Sequence, residues 1–258
     1  MSGDPDPLDL PPGGPLAALR RFTPARIGLG RAGPALPTRE LLRLGLAHAR
    51  ARDAVHAALD APGLEAALRA LDHAPRLVRS AAPDRATYLL RPDLGRRLDA
   101  ASAAALAPAP DPPPPVAVVL ADGLSAIAVV RHAPPLLAAL AARASERWTG
   151  VPVVIALQAR VALGDEVGAR LGARLVAVLV GERPGLSSPD SLGVYLTLAP
   201  QPGRTDAERS CVSNVRPEGL GYAEAAERID GIVAAGLAGG TTGVAHLGGS
   251  AASPALPR

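Results

Sequence analysis

The sequence predicts an α/β fold: a doubly wound, largely parallel sheet flanked by helices and preceded by a mainly helical N-terminal region. Three observations carry this. From residue 116 onward, short Val-rich runs alternate with helix-length segments, the pattern of strand-helix-strand units. Aromatic residues are only 2% of the 258 while 48% are hydrophobic, so the core must be built from Leu, Val and Ala, which suits Ala-rich helices packed on buried strands. Before residue 106 the apolar positions recur instead at helical spacing.

Taken in order, the opening "MSGDPDPLDLPPGG" is acidic and proline-rich where a signal peptide has a basic patch and an apolar core. It reads as a disordered tail over residues 1–15. Thr38 is placed to cap a helix with Glu40 in its first turn. That helix should run to about residue 60, with Leu42, Leu46, Ala49, His56 and Leu59 as its apolar stripe and Arg39, Arg43, Arg50 and Arg52 on its other faces. Leu64, Leu68 and Leu71 repeat the pattern after Pro62, and "RPDLGRRLDAASAAALA" supplies a third helix from Pro92 to Ala107. Residues 16–106 thus form the helical region. "PAPDPPPP" lacks amide donors and favours polyproline II, so residues 107–115 read as a stiff linker.

Beyond the linker, "VAVVLA" is a buried strand, and Ser125 is placed to cap the helix "AIAVVRHAPPLLAALAARASERW", which Pro134 and Pro135 should kink or split. "VPVVIAL" is a second strand, "GDEVGARLGA" a short helix, "LVAVLVG" a third strand and "LGVYLTLAP" a fourth. A closing helix spans residues 223–236. The sheet domain is expected over 116–247, with a flexible tail over 248–258.

The charges limit the chemistry. All 27 basic residues are arginine, for a net charge of +3. Without lysine there can be no Schiff base, lysine general base or P-loop amine. A small positive excess with one Trp, one Phe and three Tyr gives neither a basic stripe nor a stacking platform, so nucleic acid is not an expected partner. One cysteine cannot form an internal disulfide, which makes the cytoplasm the expected location. Asp122 interrupts the longest apolar run, "VAVVLADGLSAIAVV", so no segment reaches the roughly 18 residues of a membrane span.

In open α/β sheets the ligand crevice lies outside the carboxyl ends of the strands, and Asp122, Val161 and Glu182 fall just beyond such ends. Glu182, at the start of the loop "GERPGLSSPDS", can hydrogen-bond a ligand there; capping a neighbouring amide or pairing with Arg183 is the structural alternative. Asp122 in "ADGLS" reads first as turn chemistry. "GLGRAG", residues 28–33, matches a dinucleotide-binding spacing, but no strand precedes it, and Pro34 and Pro37 delay the helix that should follow. A stand-alone NAD(P)-binding oxidoreductase therefore remains an alternative, as does a non-catalytic interaction module. The five histidines show no H-E-x-x-H spacing, and no metal ligands are expected. Cys211 has no neighbouring histidine or elbow motif and reads as a small buried thiol.

The stretches "PARIGLGRAGPALPTRELLRLGLAHARARDAVH", "YLLRPDLGRRL", "ADGLSAIAV", "LGARLVAVLVGERPGLSSPDSLGVYL" and "RSCVSNVRPEGLGYAEAA", in this order across residues 24–247, resemble the small (light) subunit of ethanolamine ammonia-lyase. The resemblance implies a Rossmann-like domain that helps bind adenosylcobalamin at the interface with a large catalytic subunit. In that family the large subunit, a TIM barrel, binds ethanolamine, which the hetero-oligomer converts to acetaldehyde and ammonia. The small subunit would be inactive alone, and the helical region would dock it. Matching the motifs residue by residue places cofactor-binding positions on Val161 in "ARVALGDE", Glu182 in "VGERPGL" and Cys211 in "RSCVSN", with no catalytic residue on this chain. No D-x-H-x-x-G occurs, so the cofactor is expected to keep its own lower axial base. Two departures stand out. Ala159 occupies a position where the family often has glycine, and the short Pro/Gly tail differs from the longer extension linked to enclosure in a bacterial microcompartment, the second location that the resemblance implies.

Overall fold

The computed structural model describes residues 17–23, 25–106 and 112–244. The expected tails at 1–15 and 248–258 lie outside these residues, as does the start of the linker. In chain order the elements are a 3-10 turn (Ala17–Phe22), α1 (Thr38–His56), α2 (Ala61–Arg69), β1 (Arg76–Arg79), α3 (Arg85–Leu90), α4 (Ala100–Ala105), β2 (Val116–Ala121), α5 (Ala126–Arg143), α6 (Ser145–Trp148), β3 (Val153–Leu157), α7 (Leu163–Arg170), β4 (Leu175–Gly181), β5 (Leu192–Leu198), β6 (Arg209–Val215) and α8 (Tyr222–Gly239).

The strand order is β1-β3-β2-β4-β5-β6. β2 and β4 are buried along their whole length, as strands covered by helices on both faces must be. On one face, α5 and α8 pack Val129, Leu136, Leu140, Ile229 and Val233 over Val118, Leu120 and Leu179, with Leu64 and Leu68 of α2 at the margin. On the other, α7 packs Leu163 and Val167 over Val119, Val176 and Val178. The chain therefore leaves β2 towards one face and β3 towards the other, and that divergence opens a crevice at their carboxyl ends.

The sheet is mixed, a correction to the largely parallel, Rossmann-like expectation. β1, β3, β2 and β4 are parallel, but β5 runs antiparallel to β4 and β6 antiparallel to β5. Only residues 182–191 join β4 to β5, too few for the crossover of about a dozen that parallel pairing needs. Two strands escaped the sequence reading. β1 is four residues with arginine at both ends and Val78 alone buried, and it lies in the stretch read as helical. β6 alternates small polar and apolar residues along a sheet edge. Val78 shares a core with Val154 and Ala156, so residues ahead of the proline run contribute to the same sheet.

Several local expectations change. Ser125 holds the N-cap position of α5, but its hydroxyl donates to Pro189 O instead of capping. α5 is not split by Pro134 and Pro135. Interior prolines cost about 3 kcal/mol each, yet the helix buries Val129, Leu136, Leu137 and Leu140, worth roughly 1.5–3 kcal/mol apiece. The segment breaks instead at Ala144, whose backbone is non-helical (φ -146°, ψ 71°). α1 starts at Thr38 after Pro37, without a side-chain cap. The helix expected over Pro92–Ala107 is a 3-10 turn (Leu94–Arg96) followed by α4, which Asp99 caps through Ser102 N at 2.6 Å.

Candidate functional site

The crevice is shaped first by backbone. Asp122 follows directly on β2, and its buried carboxylate accepts the N–H groups of Gln158 and Ala159, each at 2.9 Å, with the Arg85 guanidinium 3.7 Å away. Burial pushes its pKa up, against the pull of those hydrogen bonds and of Arg85. The pairing pins the loop after β3, where Gln158 has a left-handed φ of 54°. Gly123 (φ 53°) and Gly181 bring the loops after β2 and β4 together: a Cβ on Gly181 would lie 2.8 Å from Asp122 O.

On this frame lie two adjoining hollows of about 480 and 410 Å³, which share Arg160, Val161 and Tyr195. Val161 opens the turn into α7 and packs beside Tyr195. Glu182 follows β4. Its Oε2 accepts from the Ser191 hydroxyl and from Asn214 N (3.4 Å), while its Oε1 has no partner among the described residues. Glu182 thus braces the β5–β6 end and keeps one oxygen free, without pairing to Arg183. Cys211 is exposed, not buried as its type suggested; its sulfur lies 3.2 Å from the Ser213 hydroxyl, and it stands across from Tyr195 in the β5–β6 register. Burial pushes the Tyr195 hydroxyl up to about 12, reinforced by Cys211 and Glu182. All three candidate positions therefore meet around Tyr195: Val161 and Glu182 line hollows with it, and Cys211 pairs with it.

Two ionic devices hold the walls. The guanidiniums of Arg85 and Arg160 sandwich the fully buried Tyr88 ring at 4.8 and 4.4 Å, and Tyr88 donates to Ala159 O at 3.2 Å. Gly95 permits this stack, since a Cβ there would lie 2.9 Å from both Arg160 and Tyr88. Below the cleft, Arg209 at the start of β6 forms a bidentate pair with Asp165 of α7 at 2.6 and 2.7 Å, both side chains 1% exposed. This couples the strand carrying Cys211 to the helix behind Val161.

The sequence reading missed Tyr195, Arg160 and the clamp role of Asp122. Arg160 had a signal, a cation beside Val161 at a strand end; Tyr195 had only its rarity as an aromatic in this chain. "GLGRAG" forms a loop in which Gly28, Gly30 and Gly33 all have left-handed φ; among the described residues no strand precedes it, and α1 starts only at Thr38, so the setting of a dinucleotide fingerprint is missing there. Among the described residues, no three His, Cys, Asp or Glu side chains group to hold a metal, and no helix is long and apolar enough to cross a membrane.

Fold and cleft define the class: a mixed-sheet α/β chain with an open, arginine-rich crevice at the carboxyl ends of its parallel strands. The chain belongs to the ethanolamine ammonia-lyase light chain family, whose profile matches residues 14–246. It is 58% identical over 219 residues to the ethanolamine ammonia-lyase small subunit of Ralstonia nicotianae, covering 83% of this chain and 81% of that protein. To the small subunit of Bradyrhizobium diazoefficiens it is 56% identical over 233 residues, covering 90% and 89%. The small subunit of Rhodopseudomonas palustris is 54% identical over 231 residues, with 89% and 88% covered.

Proposed function

We propose that this chain is the light subunit of a cytoplasmic ethanolamine ammonia-lyase, inactive alone, that helps hold adenosylcobalamin against the large catalytic subunit while ethanolamine is converted to acetaldehyde and ammonia. The observation that carries this reading is the convergence of three separate segments on Tyr195: Val161 and Glu182 line a hollow with it, and Cys211 is its cross-strand partner. Family membership and the names of the relatives support the partner and the reaction.

The cleft's chemistry fits the group. A corrin ring is fringed with amides whose N–H groups need acceptors, and Glu182 Oε1 is a carboxylate oxygen without a partner. Val161 adds an apolar contact and a backbone N–H that donates to no acceptor among the described residues, and Cys211 adds a small exposed surface. When bound, the cofactor supplies radical chemistry through its cobalt–carbon bond. This chain's residues bind it, orient it and exclude water. Docking falls to the helical region, where Leu41, Leu42 and Leu46 of α1 stand exposed on one helix.

The test is to co-purify the chain with its large subunit, add adenosylcobalamin, and follow the visible spectrum and acetaldehyde release. Glu182→Gln should weaken cofactor affinity by about tenfold or more, the worth of a hydrogen bond to a charged group, with little change in turnover at saturation. Unchanged affinity would remove Glu182 from the site.

A further inference from the structure

Four arginines line the larger hollow: Arg96, Arg160, Arg204 and Arg209. Two of them are committed within the chain. Arg204 bonds Glu208 at 2.5 Å and Ala199 O at 3.0 Å, and Arg209 is held by Asp165 and Asp206. The other two have no carboxylate partner among the described residues. Arg96 is exposed at the rim and has no side-chain partner among the described residues. Arg160 is pressed against Tyr88, with one long bond to Tyr88 O at 3.4 Å, and its Nε is buried without a partner. Leaving a buried guanidinium N–H unpaired is costly, so its place in a hollow points to an acceptor arriving from outside.

The same wall supplies backbone donors. Val161 and Ala162, at the turn into α7, line the hollow, and their N–H groups donate to no acceptor among the described residues. The acidic side chains of the first turn of α7 are engaged elsewhere: Asp165 holds Arg209, and Glu166 accepts from Leu98 N and Arg170. The positive end of the helix is therefore not neutralised by its own carboxylates.

We infer that this hollow binds a phosphate ester, with Arg96 and Arg160 gripping its oxygens and the Val161 and Ala162 N–H groups completing the cradle. Guanidinium forks together with adjacent backbone amides at a helix start are the donor set that grips phosphate oxygens, and a tetrahedral phosphorus centre lets the two sets of donors approach its oxygens from different directions. Arg160 and Val161 belong to both hollows, so a ligand held by Glu182 in one reaches the arginines of the other. The inference rests on the cobalamin reading for its source: the ester would be the phosphodiester of the cofactor's nucleotide loop, the alternative source being a free nucleotide.

The experiment compares hydroxocobalamin with cobinamide, which keeps the corrin but lacks the nucleotide loop, by equilibrium dialysis against the complex with the large subunit. Arg96→Ala/Arg160→Ala should weaken hydroxocobalamin roughly tenfold or more, as loss of charge-assisted bonds implies, and leave cobinamide unmoved. Because Arg160 also packs on Tyr88, Arg96→Glu is a second variant: its side chain is exposed and unpartnered, so a weakening of hydroxocobalamin alone, with an unchanged melting temperature, supports the site without a folding artefact. Unmoved hydroxocobalamin, together with adenosine 5′-monophosphate bound by the wild-type chain and lost in the double variant, supports the phosphate-ester site with a free nucleotide as source. Equal weakening of hydroxocobalamin and cobinamide overturns the inference, as does no effect on hydroxocobalamin with no binding of the nucleotide. If Glu182→Gln weakens both corrinoids while the arginine variants change neither and the nucleotide does not bind, this inference fails and the cobalamin reading stands. If the wild-type complex holds neither corrinoid, the cobalamin reading fails, and the nucleotide measurement alone decides the arginine site.

Discussion

The carboxylate of Asp122 reaches from the end of β2 to the loop after β3, where two backbone N–H groups depend on it. Removing it leaves both without their acceptor at about 1–3 kcal/mol each, so Asp122→Ala should cost about 2–5 kcal/mol in chemical denaturation and loosen the segment that presents Arg160 and Val161. A loss within 0.5 kcal/mol, the usual range of a surface change, would mean that the loop does not rely on it. Residues at this scale were unevenly legible in the sequence. Val161 and Glu182 could be placed because strand ends are visible as the point where a Val-rich run stops. Cys211 came only through the family resemblance, since its strand alternates small residues and gives no hydrophobic signal. Tyr195 looks like an ordinary strand residue until the β5–β6 register sets it opposite Cys211.

Among the elements, α1 best shows why a pattern is not a packing. The helix buries Ala47 and Ala54, while Leu42 and Leu46 of its expected apolar stripe are 68% and 50% exposed. Periodicity identified the helix, but which face is covered depends on a neighbour that the described residues do not supply, and in the proposed assembly the large subunit covers it. Leu42→Glu/Leu46→Glu should abolish co-purification with the large subunit while shifting the isolated chain's unfolding free energy by no more than about 0.5 kcal/mol, because exposed positions carry little of its stability. Retained assembly would locate docking elsewhere. The direction of β5 was likewise hidden: a strand's sequence records its burial, whereas its direction was set by a connection too short for a crossover.

For the molecule as a whole, buried histidines tie stability to pH. Burial lowers the pKa of His73 and of His132, against the opposing pull of Asp72 on the first and Asp190 on the second. His132 also bonds the Tyr222 hydroxyl at 2.8 Å, and Arg131 further disfavours its charged form. Each imidazole thus protonates less readily in the fold than in the unfolded chain. As pH falls through about 6.5 the unfolded chain takes up protons first, so these groups lower stability until the folded forms titrate in turn. The urea midpoint of His132→Gln should fall less between pH 7 and pH 5 than that of the wild type; equal falls would show that His132 is not one of the groups responsible. The sequence by itself determined the four Val- and Leu-rich strands, the principal helices that separate them and the strand-end position of Glu182, because burial and period are local properties of a chain. Only the tertiary structure decided the mixed strand directions, the entry of β1 and β6 at the sheet edges, the meeting of Arg96, Arg160 and Tyr195 at one hollow and the pairing of Tyr195 with Cys211. Those depend on which segments lie side by side, and contacts between residues far apart in the chain leave no trace in any one segment's pattern.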